Sequence, residues 1–172
     1  MKSPRIVHLA MFAMAVFGGV ETAFADSIYS FTIIDPPGAV STNANGINDS
    51  SQVVGDFWDG LNNHGFLLDT SGSITTIDVP GASSTIAVGI NNSGQIVGYF
   101  GAIGEHGFLD TGGSFTSIDV GPSPIDTFAL GINNSGQIVG SFDSSDAGPT
   151  KGFLATSTVV PEPGKLTAPR RR

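Results

Sequence analysis

The decapeptide GINNSGQIVG stands twice without change, at residues 89–98 and 131–140, and a looser copy, GINDSSQVVG, occupies residues 46–55. The copies start 43 and then 42 residues apart. A period of this length is that of a four-stranded unit, which cannot bury its apolar face alone and must stack on its neighbours. The chain is therefore read as three tandem repeats of an all-β unit.

Aligning the copies yields four extended segments, a to d. Segment a covers residues 43–48, 86–91 and 128–133; in the second copy Ile86, Val88 and Ile90 alternate with Ala87, Gly89 and Asn91, a period of two and hence a strand. The small residues on the second face imply close approach of another sheet. Asn-Ser-Gly then reverses the chain, because Asn and Gly tolerate positive φ. Segment b covers residues 52–57, 95–100 and 137–142, and segment c carries HGFL, HGFL and KGFL, beginning at His64, His106 and Lys151. Segment d covers residues 74–78 and 115–119 and ends in proline and glycine turns, where a ladder donor is missing.

Residues 30–35 with the following Pro-Pro-Gly-Ala match segment d but precede the first full copy, while the third copy lacks its own d. Twelve strands result, enough for three complete sheets, if the leading strand completes the last unit. The expected architecture is a propeller-like set of four-stranded repeats, with a pseudo-threefold β-trefoil or β-prism as the alternative. Closure of either kind would remove edge strands that recruit other chains. Asn43 and Asn45, standing where the later copies have Ile86 and Val88 or Phe128 and Leu130, instead suggest a polar cap on an open stack.

Residues 1–25 read as a secretory signal: Lys2 and Arg5, an uncharged apolar run over residues 9–20, then Ala23-Phe24-Ala25. Twelve apolar residues fall short of the roughly 20 that cross a bilayer as helix. Cleavage is expected before Asp26, leaving no membrane span, a three-repeat β domain over residues 26–158 and a polar, disordered tail over residues 159–172. Residues 26–160 carry 13 carboxylates against a single base, Lys151, so nucleic acid is not an expected partner. The absence of cysteine excludes thiol catalysis and thiolate metal sites.

GINxSGQIVG, HGFL and the Ile-Asp-x-Pro-Gly-Ala turn, recurring at this period over roughly residues 28–155, resemble the HAF extracellular repeats of exported bacterial proteins. The resemblance implies a β-rich surface module, secreted or held in the cell envelope, and no set reaction or cofactor. Val160-Pro161-Glu162-Pro163 and Arg170–Arg172 resemble a PEP-CTERM sorting signal, but only residues 164–169 lie where that signal has a membrane helix.

Among candidate chemistries, His64 and His106 share a repeat position that could converge on a metal, but the third equivalent is Lys151, a cation. Asp35, Asp78 and Asp119 end segment d and are read as caps of their own turns rather than calcium ligands. Asn48, Asn91 and Asn133 match the glycosylation pattern because the turn recurs. No nucleophile stands near a base, so the chain is read as no enzyme. A glycoside hydrolase using loop carboxylates is the weakest alternative.

The b-to-c loops break the repeat. They read DFWDGLNN, YFGAIGE and SFDSSDAGPT, and repeat scaffolds place binding residues on such a variable face. Trp58, Asp59, Tyr99, Glu105, Asp143 and Asp146 are the candidate ligand-binding residues, since aromatic rings flanked by hydrogen-bonding groups suit a sugar. The expected function is a non-catalytic module with a surface polysaccharide as partner. The alternative is a structural, self-associating repeat in which a homodimer joins three units to three more.

Overall fold

A computed structural model describes residues 6–7, 29–101, 104–121, 124–144 and 149–157. The expected export signal, apart from Ile6 and Val7, the tail from residue 158 and Asp146 lie outside the described residues. Within them the chain is all-β. Unit one is the meander β3 (Ser41–Ile47), β4 (Val53–Trp58), β5 (Asn63–Leu68) and β6 (Ile74–Ile77). Unit two is β7 (Ser84–Ile90), β8 (Gln95–Gly101), β9 (Glu105–Thr111) and β10 (Ser114–Ile118). Unit three is β11 (Pro124–Ile132), β12 (Ile138–Ser144) and β13 (Lys151–Ala155), a sheet of three strands. A separate pair joins β1 (Ile6–Val7) to β2 (Phe31–Thr32).

The three larger sheets are antiparallel and stack face on face. β7 lies against β3, β4 and β5 of unit one, and β11 lies against β7, β8 and β9 of unit two. The first junction is filled by Val54, Ile77 and Val79 from unit one and by Ala87, Ile90, Ile96 and Phe108 from unit two. The second repeats the arrangement with Val97 and Leu109 against Ala129, Ile138 and Phe153. Phe108 is fully buried in the first junction. Burial of such a ring contributes roughly 1.5–3 kcal/mol, so the junctions hold much of the stability.

Each first strand carries a bulge that strict alternation does not anticipate. Ala87 faces Gly98 and Gly89 faces Val97, so Val88 is the extra residue, and Ala87 and Ile90 share the face turned to unit one. The same register shift recurs between Ala44 and Gly46 and between Ala129 and Gly131. The small residues behave as expected: a side chain on Gly46 would meet the Val88 carbonyl at 2.7 Å, and one on Gly89 would meet the Gly131 Cα at 3.4 Å.

The propeller-like expectation is overturned, and with it the trefoil and prism alternatives. The sheets follow one another in a row, and none is closed into a barrel or curled. β2 pairs with β1 instead of completing the last unit, so unit three stays three-stranded. One kind of junction is used twice, unit two on unit one and unit three on unit two. Nor do Asn43 and Asn45 cap the stack. Both donate to Asp56, and Asn45 also donates to the Ala87 carbonyl at 3.0 Å, so these amides serve the junction with unit two.

Candidate functional site

The b-to-c loops gather at the ends of the second strands. In unit one the Asp59 carboxylate accepts from the backbone N–H groups of Leu61 (2.7 Å) and Asn62 (2.8 Å), closing a turn in which Gly60 takes φ of 104°. These two N–H groups hold its pKa below the ordinary aspartate value, with His64 adding to the effect. Trp58 precedes it at the end of β4 and is 37 % exposed, while Leu61 is 80 % exposed. No ring stacks on Trp58 among the described residues.

Unit two brings Tyr99 and Glu105 together. Tyr99 packs edge-on against Phe128 of unit three with ring centroids 5.0 Å apart, and burial, then the charges of Asp56 and Glu105, raise its pKa. Glu105 lies opposite Gly101, and its backbone N–H donates to Asp126 at 2.8 Å. Asp126 in turn faces Asp143 across β11 and β12. Three of the acids thus sit side by side, and Asp126 is the member that sequence reasoning missed because it lies outside the variable loops. Only its place just before segment a of unit three could have flagged it.

Burial, then Asp126, push the Glu105 pKa above its ordinary 4.5, against a smaller opposing pull from His106. One of its carboxylate oxygens is buried without a partner among the described residues. A carboxyl with a raised folded pKa binds its proton more tightly folded than unfolded, so it favours folding at low pH and opposes it as pH rises through the folded value. Glu105→Gln is accordingly expected to raise Tm at pH 7, with the gain shrinking as pH falls towards 4.5. Thermal melts of both proteins across pH 4–8 check this, and an equal difference at every pH would refute it.

The repeated positions are engaged within the fold. His64 Nδ1 lies 3.0 Å from both carboxylate oxygens of Asp78, and its Nε2 lies 3.3 Å from Asp59. Burial pulls the His64 pKa down, but Asp78 and Asp59 outweigh it and the net shift is upward. His106 Nδ1 meets Asp119 at 3.1 Å in the same way. These aspartates therefore bind the histidine of their own sheet. The turn after segment d is held by the following strand, where Thr85 Oγ1 accepts from the Val79 N–H at 3.1 Å. Among the described residues no group of three or more His, Cys, Asp or Glu side chains is arranged to hold a metal ion.

At the opposite end of the sheets, the Asn-x-Ser asparagines hold both the turn and the junction. Asn91 Oδ1 accepts from Ser93 and Gln95 N–H, both at 3.0 Å, and Nδ2 donates to Gln95 Oε1 and to the Asn133 carbonyl of unit three. Asn48 does the same one unit earlier, donating to the Asn91 carbonyl at 3.1 Å. A second rung runs from Asp49 N–H to Asn92 Oδ1 and from Asn92 N–H to Asn134 Oδ1. Asn48 and Asn91 are buried, so the recurrence of the triplet serves this ladder.

An open groove of about 390 Å³ lies between units one and two, lined by Leu67, Ile77, Ile96 and Phe115 with Asp78 and Asp110. None of the five described candidates, Trp58, Asp59, Tyr99, Glu105 and Asp143, lines it. Among the described residues no helix is long and apolar enough to cross a membrane. No family model, curated protein or solved structure matches the chain.

Proposed function

We propose that the protein is an exported, structural β-repeat module of the bacterial cell surface or its surrounding matrix, with no catalytic role. The observation that carries this reading is the use made of the repeated polar residues. Asn48, Asn91, His64, His106 and Asp78 bond one strand or one unit to the next. The HAF-like repeats and the signal-like residues 1–25 support export. Fractionation of the source cells tests it: the expected result is protein outside the cytoplasm with a mass that begins at Asp26. Cytoplasmic protein retaining residues 1–25 would refute export.

A carbohydrate-binding loop face is the second reading, favoured by the exposed Trp58 beside a preformed Asp59 turn. An indole on a rigid strand end offers a flat apolar surface to a sugar ring. On this reading Trp58→Ala weakens retention on the surface polysaccharide by about tenfold or more. Because the indole is only 37 % exposed, the substitution should also lower the melting temperature somewhat, so retention is compared at a temperature where both proteins are folded. Equal retention of both proteins removes the reading.

A further inference from the structure

We propose that copies of this chain add to one another head to tail, the first unit of one copy docking on the third unit of another. This deepens the structural-module reading and rests on it for its purpose, though not for its geometry.

The two ends of the stack present the two halves of the junction that already operates twice inside the chain. On unit one the face equivalent to Ala87, Ile90 and Ile96 is formed by Ala44, Ile47 and Val53, and Ile47 is 67 % exposed against 7 % for Ile90. On unit three the face equivalent to Val54 and Leu67 is formed by Val139 and Leu154, and Val139 is 50 % exposed where Val54 and Val97 are fully buried. Neither end has the polar outer face with which repeat stacks terminate.

The ladder is also open at both ends. Asn133 Nδ2 donates to Gln137 Oε1 as its counterparts do, but has no carbonyl of a following unit to reach among the described residues. The Asn48 carbonyl accepts from the Ser51 N–H, whereas the equivalent Asn91 carbonyl accepts from both Gly94 N–H and Asn48 Nδ2. A second copy supplies both missing partners at once.

Strand completion makes the same match. Unit three ends at β13 with no fourth strand among the described residues, and residues 30–35 match segment d yet belong to no complete sheet. In units one and two, Gly65 faces Ile77 and Gly107 faces Ile118. Aligning the Ile-Asp pairs places Ile34 opposite Gly152, Ile33 opposite Phe153 and Thr32 opposite Leu154 of the other copy. Phe31 and Ile33 are 62 % and 51 % exposed, and β1 pairs with only two residues of this segment. Because the two faces differ, the contact is heterologous and can repeat from copy to copy.

The chain contains no cysteine, so a disulfide introduced across this register reports on it alone. Thr32 and Leu154 are both exposed, and directly opposed residues of neighbouring strands are within disulfide reach. The doubly substituted full chain, Thr32→Cys with Leu154→Cys, should give a ladder of linked species on mild oxidation, while each single variant stops at a dimer. A double variant that stays monomeric, or forms only an internal disulfide, overturns the proposal. As a second measurement, Ile47→Lys and Val139→Lys, each at an exposed position, should separately weaken association by at least about tenfold, because docking would bury an unpaired ammonium. Mixed together, the two should form a dimer and nothing larger, since each retains the face the other has lost. A mixture that sediments as monomer while the unsubstituted chain assembles overturns head-to-tail docking, as does an unsubstituted chain that is monomeric at every concentration. The mass of the same sample shows whether residues 1–25 are present, so failure of the export reading is seen separately.

Discussion

Gly98→Ala is expected to cost roughly 3 kcal/mol or more and to lower Tm by about 10 °C or more. Gly98 is not among the glycines with positive φ, so alanine has no conformational objection to the site. The cost comes from space. A Cβ there would overlap the Ile86 carbonyl and stand 2.9 Å from Cε1 of Phe108 and 3.0 Å from the Ala87 Cα. None of these can retreat: Ile86 and Ala87 adjoin the bulge of β7, and Phe108 is fully buried in the first junction. The ring lies across the glycine because Gly98 and Phe108 face each other on β8 and β9. Gly94→Ala is the control for backbone strain, having φ of 75° and nothing within 4 Å of the new atom, and should cost about 1–2 kcal/mol. Gly140→Ala meets Phe128 and Phe153 in the same manner, but unit three has one junction where unit two has two. Denaturant unfolding should therefore rank Gly98→Ala worst, then Gly140→Ala, then Gly94→Ala. A Gly98→Ala protein as stable as Gly94→Ala would disprove the close-approach account.

The period, the strands and the turns were legible because each depends on residues near one another in the chain. Asn-Ser-Gly marks the reversal, and HGFL, or KGFL in the third copy, marks the third strand. The bulge was legible only in part. Gly46, Gly89 and Gly131 announce it, but alternation across residues 86–91 looks unbroken, and so Ala87 and Ile90 were assigned to opposite faces.

Interactions between units were hidden for a different reason. Asn48 and Asn91 lie 43 residues apart and carry the same side chain, so a bond from one copy to the next leaves the same trace as a bond repeated inside every copy. The local part, Oδ1 to the turn, was readable; the donation to the neighbouring carbonyl was not. Closure was misjudged similarly, because the period specifies what each unit contains and not how far it rotates against the last. The candidate loop residues suffered from strand register. Asp126 reaches Glu105 and Asp143 only because β11 begins several residues before the alternating core of segment a.

Asn91→Asp tests whether that hidden bond matters, and is expected to cost roughly 2–4 kcal/mol at pH 7. The substitution keeps Oδ1 and thus the bonds from Ser93 and Gln95 N–H, so the turn itself should survive. It replaces the two N–H donors with a carboxylate oxygen that faces Gln95 Oε1 and the Asn133 carbonyl, at a position only 2 % exposed. The Gln95 amide can rotate and offer its NH₂ group instead. The Asn133 carbonyl, fixed at a turn whose N–H groups are already committed, cannot, and it is left facing the negative charge of a carboxylate that is itself buried. Such a carboxyl is held protonated more readily in the fold than in the unfolded chain, so the loss should diminish as pH is lowered. Asn133→Asp provides the comparison, because Asn133 is exposed, makes the same turn and, among the described residues, donates to no following unit. A large, pH-dependent loss at Asn91 with a small one at Asn133 identifies the rung between units as the source. Equal losses at the two positions would mean that the asparagines serve their own turns alone, and that stacking rests on the apolar faces.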